Sequence, residues 1–104
     1  MISQEKISEV VNRIVKNYDP DKIILFGSYA EGNARESSDL DLLIVKDDNR
    51  IPPERAIALR KFLLGMMIPL DLFVFTNKEF DDQGKEKFSM ISEIKNSGKI
   101  LYAR

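Results

Sequence analysis

Two aspartates one residue apart, Asp39 and Asp41, follow a Gly27-Ser28 pair, residue types that can serve a metal and a phosphate. Apolar runs flank them on both sides, Ile23-Ile24-Leu25-Phe26 before and Leu40-Asp41-Leu42-Leu43-Ile44-Val45 across. Both runs read as buried strands bounded by turn residues. Asp39 and Asp41 therefore stand at the mouth of the second strand. Alternation along a strand sends both side chains to one face, with alpha carbons about 6.5–7 Å apart. Two carboxylates so placed can converge on divalent cations. Gly27 lets a ligand approach the backbone with no side chain in the way. Ser28 adds a hydroxyl, and a helix beginning there would offer free N–H groups to a phosphate.

A third carboxylate joins them. Asp71 interrupts the apolar run Ile68-Pro69-Leu70-Asp71-Leu72-Phe73-Val74-Phe75. A charge in such a run is costly unless it is paired or binds metal. If the second and third strands are neighbours, Asp71 reaches the site of Asp39 and Asp41. Three aspartates form a hard oxygen site suited to Mg²⁺ or Mn²⁺. Mg²⁺ keeps waters and takes phosphate oxygens from its substrate, so the natural ligand is a nucleoside triphosphate. Two ions about 3.5–4 Å apart could clamp the attacking and leaving oxygens of an in-line displacement.

Composition removes the alternatives. The 104 residues contain no Cys and no His. Thiol catalysis, disulfides, zinc on sulfur or imidazole, and histidine acid–base schemes are all excluded. Carboxylate, hydroxyl, amine and guanidinium groups remain. Sixteen basic and seventeen acidic residues give a net charge of −1, leaving no global field to draw nucleic acid. The N-terminus lacks the apolar core of a signal peptide. The most apolar window, Phe62 to Phe75, is broken by Pro69 and Asp71 and falls short of the roughly 20 residues of a spanning helix. These features set the expectation of a cytoplasmic protein with one domain over residues 1–104 and no membrane partner.

The supporting elements follow from periodicity and punctuation. Ser3 caps a first helix to about Asn17, whose Ile7, Val10, Val11, Ile14, Val15 and Tyr18 form one apolar stripe. Asp19-Pro20-Asp21 breaks it, and a strand follows over Lys22–Phe26. After the second strand, Asp47 and Asp48 read as a solvated turn. Pro52-Pro53 then opens a helix over about Glu54 to Leu64. Ile57, Ala58 and Phe62 are its expected core residues, with Leu59 and Leu63 as further candidates. Arg55, Arg60 and Lys61 read as its solvated face, and Gly65 as its cap. The third strand spans Ile68 to Phe75. Thr76-Asn77-Lys78-Glu79 matches a capping box and starts a short helix. Asp81 and Asp82 read as solvated. A last helix runs from about Lys85 to Asn96 with Phe88, Ile91 and Ile94 inside. Lys99-Ile100-Leu101-Tyr102 reads as an extended tail on the body. Tyr18 and Tyr102 are packing residues, whereas Tyr29 either packs locally or leans on a base. Helices thus alternate with about three strands, an α/β (α+β) arrangement around a small mixed sheet.

Gly27-Ser28, ten residues, and Asp39-Leu40-Asp41 together resemble the GS-x10-DxD signature of the DNA polymerase beta-like nucleotidyltransferases. The flanks agree: Leu25-Phe26, Ser38-Asp39-Leu40-Asp41-Leu42-Leu43 and Gly98-Lys99-Ile100-Leu101-Tyr102. The resemblance covers nearly the whole chain and is similar to a minimal nucleotidyltransferase (MNT). It implies transfer of a nucleotide monophosphate, usually AMP from ATP, onto a hydroxyl. Gly27 and Ser28 would hold the triphosphate, and Asp39 and Asp41 would bind the metal. Asp71 would act on the acceptor as metal ligand or general base. Chains this small in the family pair with helical HEPN proteins in toxin–antitoxin systems, some attaching AMP to a tyrosine of the toxin. A silent antitoxin that acts by binding is the alternative, and an aminoglycoside-type small-molecule transferase a further one. One departure stands out. Many relatives carry Arg at the position of Glu31, so an anion stands near the presumed phosphate site.

Overall fold

The computed structural model describes residues 1–104. A four-stranded mixed sheet carries the site. Helix α1 (Gln4–Tyr18) begins at Ser3, whose side-chain oxygen accepts the Lys6 N–H at 3.1 Å. It buries Ile7, Val10, Ile14 and Tyr18, the stripe its periodicity predicts, and stops at left-handed Asp19 before Pro20. Strand β1 (Lys22–Phe26), helix α2 (Ser28–Glu31) and strand β2 (Leu40–Val45) follow. Then come helix α3 (Pro52–Lys61), strand β3 (Leu70–Phe75), helices α4 (Asn77–Gly84) and α5 (Met90–Ser97), and strand β4 (Lys99–Ala103).

The strand order is β3-β2-β1-β4. β1 runs antiparallel to both β2 and β4, and β2 runs parallel to β3. The parallel pair is possible because α3 lies in its crossover, as parallel strands require a long connection. The fourth strand is the Lys99–Tyr102 segment that reads from sequence as a tail; it pairs with β1 through an irregularity at Ile23/Ile24.

Helices cover both faces of the sheet. Ile23, Leu25, Leu42, Ile44, Leu72 and Val74 pack against α1 and α3 in the main core. Ile24, Leu43 and Val45 pack against Phe80, Ile91 and Ile94 of α4 and α5. Burial on both sides explains why β2 reads as an unbroken apolar run. Asp41 is the one residue of β2 that is not buried.

Several expectations need correction. α3 turns a different face inward. Arg55, Leu59 and Leu63 are buried, while Ile57 is 59% exposed and Phe62 39%. Arg55 can go inside because its guanidinium finds partners: Arg50 O at 2.6 Å, Val74 O at 3.4 Å and Glu79 Oε1 at 2.7 Å. Arg60 does remain exposed, yet its guanidinium donates to Leu70 O at 2.8 Å. The two arginines thus occupy outward carbonyls of edge strand β3, which blunts that edge. Asp48 is not a solvated turn residue: it is 8% exposed, bound by Tyr18 Oη at 2.6 Å and by Arg50 through two side-chain nitrogens. β3 starts at Leu70 rather than Ile68. The last helix starts at Met90, where Ser89 accepts the Ser92 N–H. Phe88 lies outside it, left-handed at φ 65° and 91% exposed. The capping box at Thr76 and Glu79 is present as read, with both reciprocal hydrogen bonds.

Candidate active site

Strand register does most of the assembly. In the antiparallel pair, Phe26 stands opposite Asp41; in the parallel pair, Asp41 stands opposite Asp71. Adjacent strands lie about 4.8 Å apart, so Phe26, Asp41 and Asp71 form one row across three strands. Alternation puts the row on the α4–α5 face, where it lies beyond the apolar cluster that those helices cover. Asp39 precedes the strand by one residue, exposed, at the mouth of the same face.

Gly27 follows Phe26 directly and crosses over Asp41. Its backbone, at φ 74° and ψ −155°, is one that side chains rarely adopt. A Cβ built there falls on the Asp41 carboxylate, with Cγ only 3.1 Å away. The sequence offers this glycine as room for a ligand; in the fold the room is filled by Asp41. The chain then turns into α2, where the Ala30 and Glu31 N–H groups both donate to Gly27 O at 3.1 Å. Ser28 opens this single turn and Gly32 closes it. Glu31 ends the turn exposed and in no ion pair. Tyr29 packs against the main core and its hydroxyl accepts the Ile2 N–H at 2.9 Å, which settles its role as local packing.

The electrostatics of the row are one-sided. Burial pushes the Asp41 carboxyl above the ordinary range, and the charges of Asp71 and Asp39 push it further. No ion pair compensates any of the three. Like charges at this spacing oppose joint ionisation. They feel one another without closing into a cage, since no three acidic side chains converge tightly enough to enclose an ion. The donor set nonetheless fits a divalent cation: hard oxygens, uncompensated, beside a backbone that approaches Asp41 through a glycine. Waters and phosphate oxygens would complete such a shell.

Two aromatic rings escaped the sequence reading. Phe26 and Phe73 meet across the sheet with centroids 5.7 Å apart and planes tilted by 54°. Phe26 stands beside Asp41 on the neighbouring strand and Phe73 two residues along β3 from Asp71, both on the face of the carboxylates. The alternation that places Asp71 also places Phe73, two residues on, so the signal was there. The larger cavities lie elsewhere. The biggest, about 780 Å³, lies among Tyr18, Lys46, Asp48, Arg50, Lys61 and Phe62. Five cavities of about 190–780 Å³ have linings that include none of Gly27, Ser28, Asp39, Asp41 and Asp71. The carboxylates stand on an open shelf.

Residues 5–104 match the family described as Polymerase beta, Nucleotidyltransferase. The chain belongs to that nucleotidyltransferase family. A relative from Methanocaldococcus jannaschii, named as a putative protein adenylyltransferase, is 34% identical over 105 residues, covering 98% of this chain and 100% of that protein. The crystal structure of a putative nucleotidyltransferase from Sulfolobus solfataricus superposes with a TM-score of 0.67 at 20% identity, covering 96% of this chain and 79% of the other. This second likeness shows the shared fold. The fold of this nucleotidyltransferase brings Gly27, Asp41 and Asp71 together where β1, β2 and β3 meet. No helix in it is long and apolar enough to cross a membrane.

Proposed function

We propose that this nucleotidyltransferase moves AMP from ATP onto a hydroxyl of a partner protein, a tyrosine of a helical HEPN-type toxin. The observation that carries the reading is the row Phe26–Asp41–Asp71 with Gly27 passing over Asp41. The protein acceptor is supported by the accessibility of the carboxylates, with Asp39 exposed and Asp41 and Asp71 only half-buried, and by the name of the M. jannaschii relative. A protein brings its own walls. An aminoglycoside-type acceptor would need a cavity here.

In this reading Gly27 and Ser28 orient the β- and γ-phosphates beside the one-turn helix. Asp39 and Asp41 would hold Mg²⁺ (or Mn²⁺), which when bound would supply charge neutralisation for the transferred phosphoryl group. Asp71 lies one strand beyond Asp41, on the side away from Gly27, and takes the proton of the incoming hydroxyl. The hydroxyl oxygen forms a bond to the α-phosphorus while the bond to the β-phosphate oxygen breaks, releasing pyrophosphate. Positioning and electrostatics supply most of the acceleration. A second reading, an antitoxin that binds its partner without turnover, is favoured by Glu31 near the phosphate region.

ATP labelled at the α-phosphate, incubated with Mg²⁺ and the partner, tests the proposal. Label on the partner from α- but not γ-labelled ATP, lost in Asp41→Asn, is the expected result. An inhibited yet unlabelled partner would establish the binding-only reading instead.

A further inference from the structure

α3 and the turn that follows it carry apolar side chains both inward and outward. Leu59 and Leu63 go into the core, whereas Ile57 (59%), Leu64 (76%) and Met67 (93%) stay exposed along the outside. Ile57 stands on the outward side of α3, and Leu64 follows in the turn past its C-terminal end. Met67, just beyond, is held left-handed at φ 58° with its side chain in water. Phe62, 39% exposed, lies between two clefts on the side of α3 that faces α1. One is the 780 Å³ cleft and the other, about 380 Å³, is lined by Arg13, Lys16 and Asn17 of α1. Arg13 ties the far end to the ridge by donating to Leu64 O at 3.2 Å. An apolar ridge continuous with a long groove is more than scattered surface leucines.

The two clefts hold five cations, Arg13, Lys16, Lys46, Arg50 and Lys61, against three carboxylates, Glu9, Asp47 and Asp48, so positive charge is in excess. Arg13 and Arg50 are neutralised by Glu9 and Asp48. Lys16, Lys46 and Lys61 have no carboxylate within ion-pair distance, although the whole chain carries −1. Lys46 donates to Asp19 O at 3.1 Å and lies over the Tyr18 ring, whereas Lys16 and Lys61 are free to meet carboxylates of what lies against them.

We infer that the outer ridge of α3 and its groove with α1 form a docking surface for an amphipathic helix of a partner protein, one with acidic residues flanking an apolar stripe. Such a helix lays its apolar positions on Ile57, Phe62 and Leu64 and its carboxylates against Lys16 and Lys61, the helix-in-groove mode of recognition. A helix of about 20 residues spans about 30 Å, the length of this molecule, whose longest extent is 33 Å. The surface lies on the sheet face opposite Asp41 and Asp71, so it holds a partner without covering the carboxylates. It stands apart from the transfer chemistry and needs only that a protein partner exists.

The test uses the full chain and two synthetic helical peptides of about 20 residues. Both have leucines at i, i+3 and i+7 spacing; one is flanked by glutamates, the other by lysines. Fluorescence anisotropy at low and high salt reads the binding. The glutamate peptide should bind at least about tenfold tighter, with the preference shrinking in high salt. Ile57→Ser with Leu64→Ser, and separately Lys16→Glu with Lys61→Glu, should each weaken it by about tenfold or more. These positions are exposed, so melting temperature and ATP binding should hold, which separates failure here from failure at the active site. Equal binding of the two peptides, no binding of either, or variants that bind like the parent would overturn the inference. So would a self-associated chain in sedimentation that Ile57→Ser with Leu64→Ser dissolves, because the occupant would then be a second copy.

Discussion

Replacing Gly27 by alanine perturbs the site through one methyl group, and the structure sets both consequences. The first is conformational: φ 74° with ψ −155° is open to glycine and costs another residue about 1–3 kcal/mol. At about 4–8 °C per kcal/mol for a domain of this size, a 2 kcal/mol loss lowers Tm by roughly 10 °C. The second is steric, since the new Cβ would overlap the Asp41 carboxylate. That carboxylate has to move by an ångström or more, and a displacement of about 1 Å at a reacting group can cost about 10²-fold in rate. Gly32→Ala is the matched control. Gly32 is also left-handed, at φ 80°, but a Cβ there meets nothing within 4 Å. Both variants should lose stability, and only Gly27→Ala should lose about a hundredfold in AMP transfer. Transfer of α-labelled AMP, measured below both melting points, decides the matter. If Gly27→Ala keeps the transfer rate of Gly32→Ala, Asp41 has no part in the chemistry.

Other consequences follow from single groups. Asp41→Asn should raise Tm at neutral pH while abolishing transfer, because burial, Asp71 and Asp39 all disfavour the ionised carboxylate. Its folded-state pKa lies above the unfolded value, so the ionised group lowers stability as pH rises through the raised pKa. Thermal melts across that window should show the parent losing stability relative to Asp41→Asn. Asp48 has the opposite sign: hydrogen bonds from Arg50 hold its carboxyl well below the usual range. The stability it contributes is full above the unfolded carboxylate pKa and is lost as pH falls, so melts of Asp48→Asn should converge on the parent in acid. Tyr18→Phe removes the 2.6 Å hydrogen bond to that buried carboxylate and should cost about 1.5–3 kcal/mol in urea unfolding, with transfer unchanged. Arg55→Met should cost about 3 kcal/mol or more, because Glu79 and the carbonyls of Arg50 and Val74 lose their shared partner.

Local signals in the sequence carried most of this fold. Ser3, Thr76 and Glu79 fix their helix ends through hydrogen bonds made within a few residues, and Pro20 stops α1 by its ring and missing N–H, so their positions could be read directly. β1 and β2 were legible because burial on both faces leaves an apolar run between turn residues. What depended on distant partners was not. Arg55 looks solvated until β3 and α4 supply acceptors, and Asp48 looks solvated until Tyr18 and Arg50 close around it. Ile57 looks buried by its apolar side chain, yet the angle of α3 is set by Leu59 and Leu63, which leaves it outside. The tail became β4 because β1 had a free edge. At the site, the spacing of Gly27, Ser28, Asp39 and Asp41 was plain, whereas the place of Asp71 hung on β2 and β3 being parallel neighbours. Phe26 and Phe73 were overlooked because each reads as ordinary core.

The central claim is that acidic groups on adjacent strands hold a cation together with ATP, and Mn²⁺ makes the claim directly visible. Electron paramagnetic resonance of Mn²⁺ with ATP, titrated with the parent protein, should show a bound ternary species. Asp39→Asn and Asp41→Asn should each weaken it by about tenfold or more. Unchanged Mn²⁺–ATP binding in both variants would contradict the account.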